Sequence, residues 1–479
     1  MSSRKLVLTV LLGAPFLAQA DATIANVATP SIHAELGASG GALELVVGGY
    51  LIAFAVLVIT GARLGQTHGY RRVFLVGAAI FTAASLACGL APDPVVLVLA
   101  RVLQGTGAAL MFPQALTGIQ RNFSGARQAR ALALYAIALS SGAVAGQVLG
   151  GVVIDAHLTG EPWRAIFLVN VPVGMVLLLA AARWLPADDV RVARRTDVAG
   201  ITTLSLCLLL VIVPLVLGRA GGWPAWTWIC LAASVPALAA FLAVERRLTE
   251  RNAAPLVNLY VIGRPATAWA LGAMLAATGT YYALLFTFAQ YVQTGLGRGP
   301  LVSGLALVPW VAAFGLAGQV VRRLPSRAAA ASGWGGCALL GSAYLAIGVA
   351  ERSGAGVGAL LVMLLMVGGL GLGLQFSGLL RHLTTTVPPR FAPDISGVST
   401  TVLQIGGALG VAAFGGTYLK LASQMGPADA FADVTSALAV VALLAAAMAY
   451  RCTHVPRPRP SSRRHTARRP DECVASGSI

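Results

Sequence analysis

Two charged residues, Asp21 and Arg101, lie inside stretches otherwise apolar enough to cross a bilayer. A charge at such depth is costly and is kept where it has a partner or a task. A carboxylate can take up and release a proton. A nearby arginine favours its charged form, and burial favours its neutral form. The stretch holding Asp21, 6–28, leaves the membrane near Pro30, nine residues on. The stretch holding Arg101, 94–117, enters near Asp93, eight residues before. At ~1.5 Å per residue the two charges sit at nearly the same height, where pairing eases the burial of both. The chemistry implied is proton exchange at Asp21 with Arg101 as its partner; the alternative is a purely structural pair.

The elements must hold these residues inward. At ~100° per residue, Ala14, Leu17, Asp21, Ala25 and Ala28 share one face of the first helix, and Gln19, Thr23 and Asn26 the opposite one. A helix polar on two sides faces lipid on neither, so it belongs inside a bundle. Arg101, Gln104, Gly105 and Ala108 likewise share a face.

The 479 residues are 57% hydrophobic and 11% charged, against about 25% charged in soluble domains. The apolar runs have helix length rather than the ~10-residue alternation of a membrane barrel. The reading is an all-α polytopic membrane protein with fourteen spans: 6–28, 42–62, 73–91, 94–117, 131–154, 164–184, 198–218, 225–244, 267–292, 301–321, 328–350, 356–380, 395–419 and 434–451. The connections alternate in charge. Lys5, Arg71, Arg72, Arg127, Arg194, Arg246, Arg322 and Arg381 fall in one set, and Glu35, Asp93, Asp155, Glu161 and the pair Glu351/Arg352 in the other. By the positive-inside rule the first set is cytoplasmic, and the alternation closes with both termini inside. The net charge of +17 is therefore topology, not a nucleic-acid surface. The first run, followed by Ala18-Gln19-Ala20, has the look of a cleaved leader, but it continues to Ala28 and further spans follow, so no cleavage is expected. The Arg- and Pro-rich segment 452–479 reads as a disordered cytoplasmic tail. The six cysteines show no metal-ligand or redox spacing, so no metal, cofactor or disulfide is expected.

Gly142, Gly146 and Gly150 recur at every fourth position, with Gly151 beside them, a spacing that lets helix backbones approach closely. Arg63, Gly69, Arg71 and Arg72 make a tight basic turn after the second span. The second half is read as having no ionisable residue deep in its spans. It carries Tyr281, Tyr282, Phe286, Gln290 and Trp310 instead, side chains suited to an apolar pocket. With Asn26, Gln104 and Gln147 they are the candidate substrate contacts.

These motifs, in this order, resemble the major facilitator superfamily, in particular its fourteen-helix drug–proton antiporter branch (EmrB/QacA-type). The resemblance rests on Asp21-Ala-Thr-Ile-Ala-Asn26 to Pro30, Arg63-Leu-Gly65 to Arg72, Leu99-Ala-Arg101-Val-Leu-Gln104-Gly105, Gly142 to Gly151, and Trp163-Arg164 to Gly174. Gln66 stands where the loop motif has Asp, and Gln147 where the glycine motif commonly has Pro. The resemblance implies two six-helix bundles, 1–196 and 248–451, around a central cavity, with an extra helix pair in 197–247. It also implies rocking-bundle alternating access, Asp21 and Arg101 as the proton-coupling pair, and the basic turn and glycines as conformational motifs. The expected function is export of a lipophilic drug, antibiotic or related natural product in exchange for protons. The expected protein is a monomer in a bacterial cell membrane. Proton-coupled import of a metabolite, and a non-transporting receptor or scaffold, are the competing readings. An enzyme is not expected, since no nucleophile–base pair or metal-ligand cluster occurs.

Overall fold

The computed structural model describes residues 3–156, 161–187, 198–218, 222–250, 263–354, 356, 358–386 and 392–454. Among them the regular structure is helical: α1 (Ser3–Leu36), α2 (Gly40–His68), α3 (Tyr70–Gly89), α4 (Pro94–Asn122), α5 (Gly125–Asp155), α6 (Pro162–Leu168), α7 (Asn170–Trp184), α8 (Val198–Leu217) and α9 (Ala225–Glu250). There follow α10 (Pro265–Gln290), α11 (Pro300–Ala306), α12 (Val308–Arg323), α13 (Ser326–Arg352), α14 (Ala359–Thr386), α15 (Ala392–Gly410), α16 (Gly416–Met425) and α17 (Pro427–His454). Wider π-turns, Tyr291–Gly295 and Val411–Gly415, continue α10 and join α15 to α16. Thirteen helical segments among the described residues are long and apolar enough to cross a membrane, and Ala199–Pro214 in α8 is a shorter apolar helix. The expected cytoplasmic tail lies outside the described residues beyond His454, as does the 196/197 boundary; residues 452–454 are the last turn of α17.

The helices run longer than the apolar stretches. The expected basic turn after the second span is mostly helix: α2 includes Arg63 and Gln66 and ends at His68, and Gly69 alone (φ +94°) separates it from α3. That left-handed conformation favours a residue without Cβ. The expected span 164–184 is two helices broken at Val169. Pro172 has no N–H to give to the carbonyl four residues back, which places the break where Asn170 begins α7.

Each half repeats one packing pattern. α1 lies on α5, α4 on both α2 and α3, and α3 on α7; equivalently, α10 lies on α15, α14 on both α12 and α13, and α13 on α17. The halves meet where α2 packs on α15, α5 on α11 and α12, and α1 on α10. α8 and α9 pair with each other, and α8 rests on α2.

Glycines set the closest crossings. A Cβ on Gly142 would lie 2.4 Å from the Phe16 carbonyl oxygen, and one on Gly146 2.2 Å from that of Ala20. The glycine stripe therefore brings α5 against the backbone of α1. Gly151 faces the other half, where a Cβ would meet Leu301 Cα at 2.7 Å; reciprocally, a Cβ on Gly304 would meet the Gln147 carbonyl oxygen at 2.3 Å. Gln293 Nε2 in the π-turn after α10 donates to the Val27 carbonyl at 3.0 Å. These contacts join the halves at the arginine-poor end.

Candidate functional site

The first-half polar residues converge on Asp21, which is 0% exposed. Its Oδ2 accepts from Arg101 Nη1 at 2.6 Å. Its Oδ1 accepts from Gln104 Nε2 at 2.8 Å and from Asn170 Nδ2 at 2.6 Å. Three donors from α4 and α7 thus meet one carboxylate on α1. Arg101 and Gln104 reach it together because they lie one turn apart on α4, as their shared face predicts.

Neighbouring groups hold the donors in place. Arg101 Nε donates to the Val46 carbonyl on α2 at 2.8 Å, and its Nη1 also donates to Gln104 Oε1 at 2.7 Å. Gln104 Nε2 is within 2.8 Å of Ser85 Oγ on α3. The guanidinium lies 4.6 Å from the centre of the Tyr50 ring and 5.5 Å from that of Phe167, an arrangement in which ring faces attract a cation. Tyr50 is fixed in turn by its hydroxyl, which donates to the Ala18 carbonyl at 2.9 Å. Arg101 Nη2 is buried with no partner among the described residues. Apart from Nη2, the bonds of this charged network tie α1, α2, α3, α4 and α7 to one another.

Other candidates sit elsewhere. Asn26 Nδ2 turns back to the Ala22 and Thr23 carbonyls of its own helix, both at 3.3 Å. Gln147 Nε2 is 3.4 Å from the Thr23 carbonyl, so it follows α1 without touching Asp21. Arg63 Nη1 donates to Gln66 Oε1 at 3.2 Å, Arg71 Nη2 donates to the Ala182 carbonyl on α7 at 2.5 Å, and Arg72 is exposed.

In the second half Tyr281, Trp310 and Tyr344 stack in series, with ring centres 6.0 and 5.8 Å apart. Tyr282 meets Tyr281 edge-on, and its hydroxyl accepts from Gln19 Nε2 of α1 at 3.4 Å. The two polar faces of α1 thus serve different ends: Asp21 turns into its own half and Gln19 toward the other. Phe286 is buried near Gly415, and Gln290 Nε2 is buried without a partner among the described residues. These two lie apart from the stack in sequence, one and two turns further along α10.

One loop assignment changes at a helix end. Glu351, in the last turn of α13, is 3% exposed, and its Oε2 accepts from the Tyr291 hydroxyl at 2.5 Å. Assigning Glu351/Arg352 to a loop stopped the span at the first charge, whereas α13 continues through Arg352. Asn170, Ser85 and Tyr50 are also absent from the candidate list. Asn170 carried a signal, since it opens a helix next to Pro172. Nothing local in the sequence marks Ser85. Among the described residues no group of three or more His, Cys, Asp or Glu is placed to hold a metal ion.

The sequence profile of the Major Facilitator Superfamily matches residues 11–411. A probable actinorhodin transporter of Streptomyces coelicolor is 35% identical over 418 residues, covering 86% of this chain and 72% of that protein. A cephamycin export protein of Amycolatopsis lactamdurans is 35% identical over 464 residues, 90% of each. In fold the chain is similar to the inward-facing crystal structure of a bacterial homolog of the human lysosomal transporter Spinster, with a TM-score of 0.66 at 18% identity over 95% of this chain and 97% of that one.

Proposed function

Because the chain belongs to the major facilitator superfamily, and is a multi-pass membrane transporter rather than an enzyme, we propose that it exports a lipophilic small molecule of antibiotic type in exchange for protons. The observation that carries the coupling half of this reading is the fully buried carboxylate of Asp21, held by Arg101, Gln104 and Asn170. The relatives described as an actinorhodin transporter and a cephamycin export protein support the cargo class and the outward direction.

On this reading Asp21 carries the exchanged proton. Ionised, it holds three donors and ties α1 to α4 and α7. Protonated, it leaves Arg101 without a full counter-charge and loosens the tie. A change of one charge at a point where five helices converge biases which arrangement of the half is stable. The glycine-packed α5 carries that bias to the other half through Gly151 and Gly304. Rocking of the halves then exposes the site to each side in turn. Tyr281, Tyr282 and Trp310 offer the apolar, aromatic side of the substrate path. Gln104 serves the proton site, and Asn26, Gln147, Phe286 and Gln290 remain proposed cargo contacts. The proposed topology is fourteen spans, six plus two plus six, in a monomer with both termini cytoplasmic.

The test uses everted bacterial membrane vesicles that acidify their lumen. A fluorescent lipophilic substrate accumulates only while the proton gradient stands, and Asp21→Asn, present in the membrane at the same level, accumulates none. Gradient-independent accumulation, or unaltered accumulation by the variant, rejects proton coupling at this residue.

A further inference from the structure

We infer that Glu351 is a second proton-binding group, one that latches the arginine-poor end shut when it is protonated. The inference rests on the transporter reading above, because it assigns the residue a task in opening and closing.

Glu351 lies in the last turn of α13, 3% exposed. Oε2 has one donor, the Tyr291 hydroxyl at 2.5 Å, and Oε1 is buried without a partner among the described residues. The charged groups around it are paired with one another or exposed, as Arg298 after the π-turn and Lys420 of α16 are. Arg352, the next residue, pairs with Asp433 of α17. Asp429 of α17 is exposed. Tyr418 of α16, like Tyr291 a neutral phenol, is buried with its hydroxyl unpartnered among the described residues. Arg322 and Arg323 of α12, Arg381 and His382 of α14, and Arg264 before α10 all lie at the other ends of their helices. Asp21 has Arg101; among the described residues Glu351 has no cation within ion-pair distance. A buried carboxylate without one is stable in its neutral form and costly in its charged form.

Tyr291 links this carboxylate to the seam between the halves. It opens the π-turn Tyr291–Gly295 and stacks on Phe431 of α17, ring centres 4.5 Å apart. Two residues further, Gln293 makes its 3.0 Å bond to the Val27 carbonyl of α1. α1 is the helix of Asp21, and Val27 lies between Asp21 and the arginine-poor end. π-turns of this kind occur frequently at functional sites. A path therefore runs from Glu351 through Tyr291 and the π-turn to the helix that carries the first proton site. With the end closed, burial favours the neutral form of Glu351; opening the seam hydrates it and favours the ionised form. A proton arriving from the arginine-poor side thus favours closure, and its loss favours opening.

The test places spin labels at Ala34 of α1 and Val302 of α11, both exposed and on opposite sides of that seam, in cysteine-free full-length protein in lipid nanodiscs. The distance distribution is recorded from acidic to alkaline buffer. The expected wild-type result is a short distance in acid and a growing long-distance population in alkali. Glu351→Gln keeps the short distance at every pH, whereas Asp21→Asn with Glu351 intact keeps a pH-dependent change, so that titration of Asp21 does not supply the slope. Tyr291→Phe, which leaves the carboxylate in place, moves the midpoint of the wild-type change but alters nothing when combined with Glu351→Gln. A flat wild-type profile, a slope that survives in Glu351→Gln, or a Glu351→Gln protein that is open at every pH overturns the inference; the last outcome would make the residue a structural tie only. The export reading fails separately, if the labelled protein follows Glu351 but moves no substrate against a proton gradient.

Discussion

Substituting alanine for Gly146 perturbs the proton site without removing any side chain that bonds to Asp21. The added Cβ would lie 2.2 Å from both the Ala20 carbonyl oxygen and Thr23 Oγ1. One of these is backbone and the other has the carbonyls of Gln19, Ala20 and Ala143 within donating distance, so neither can move away freely. Relieving the clash moves α5 from α1 by about 1 Å, since non-bonded atoms settle at ~3.5 Å or more. Ala20 precedes Asp21, whose 2.6 Å contacts to Arg101 and Asn170 lengthen with any such displacement. Overpacking of this kind costs ~1–3 kcal/mol, while alanine in place of glycine within a helix returns ~1 kcal/mol. Gly48 on α2 controls for the second effect, because a Cβ there meets nothing within 4 Å. Gly150, where the nearest atom is Ile24 Cγ1 at 3.0 Å, should fall between. Thermal unfolding in a fixed detergent, with transport in everted vesicles, ranks the three. Gly48→Ala should be neutral or stabilised, and Gly146→Ala less stable and nearly inactive. A Gly146→Ala protein as stable and active as Gly48→Ala would refute the packing argument.

Arg101→Gln leaves Asp21 buried without its cation; breaking a buried pair from one side costs ~3–5 kcal/mol, so the variant should unfold at markedly lower temperature, and Asp21→Asn/Arg101→Gln should recover part of the loss. Arg101→Lys should not rescue transport, because a point-like ammonium cannot serve Asp21, Gln104 and the Val46 carbonyl at once as the guanidinium fork does. Asn170→Ala removes a bond to a charged group, ~1.5–3 kcal/mol, and should slow transport while insertion and folding, read by size-exclusion profile, persist. Trp310→Ala empties the centre of a three-ring stack and should cost ~3–5 kcal/mol; Tyr281→Phe, which keeps the ring, should retain stability and change the order of preferred substrates in a competition assay.

The central pair was legible because depth can be counted. Nine residues to Pro30 and eight from Asp93 place Asp21 and Arg101 level, and the 2.6 Å contact follows. The spacing of Gln104 put it on the face of Arg101, but it was read as a substrate contact and not as a donor to Asp21. Asn170 carried a local mark in its place beside Pro172, but nothing in the sequence ties it to Asp21, 149 residues away. Glu351 escaped for a different reason: a charge at the edge of an apolar run is ordinarily the start of a loop, and only the tertiary contact with Tyr291 shows that the helix carries it inside. The same bias shortened α2, whose helix continues through Arg63 to His68. Helix breaks at Val169 and Leu307 precede Pro172 and Pro309 and were available to a reading of proline positions. The π-turns left no such mark.

The most direct test of the account is proton movement driven by substrate. Purified protein is reconstituted in liposomes with a lumenal pH dye and no imposed proton gradient, and a lipophilic substrate gradient is applied across the membrane. The account predicts a lumenal pH change of the sign expected for protons crossing opposite to the substrate, present in wild type and lost in Asp21→Asn, while Gly48→Ala behaves as wild type. Substrate flux with no accompanying proton movement in the wild type, or the same proton movement in Asp21→Asn, would contradict it.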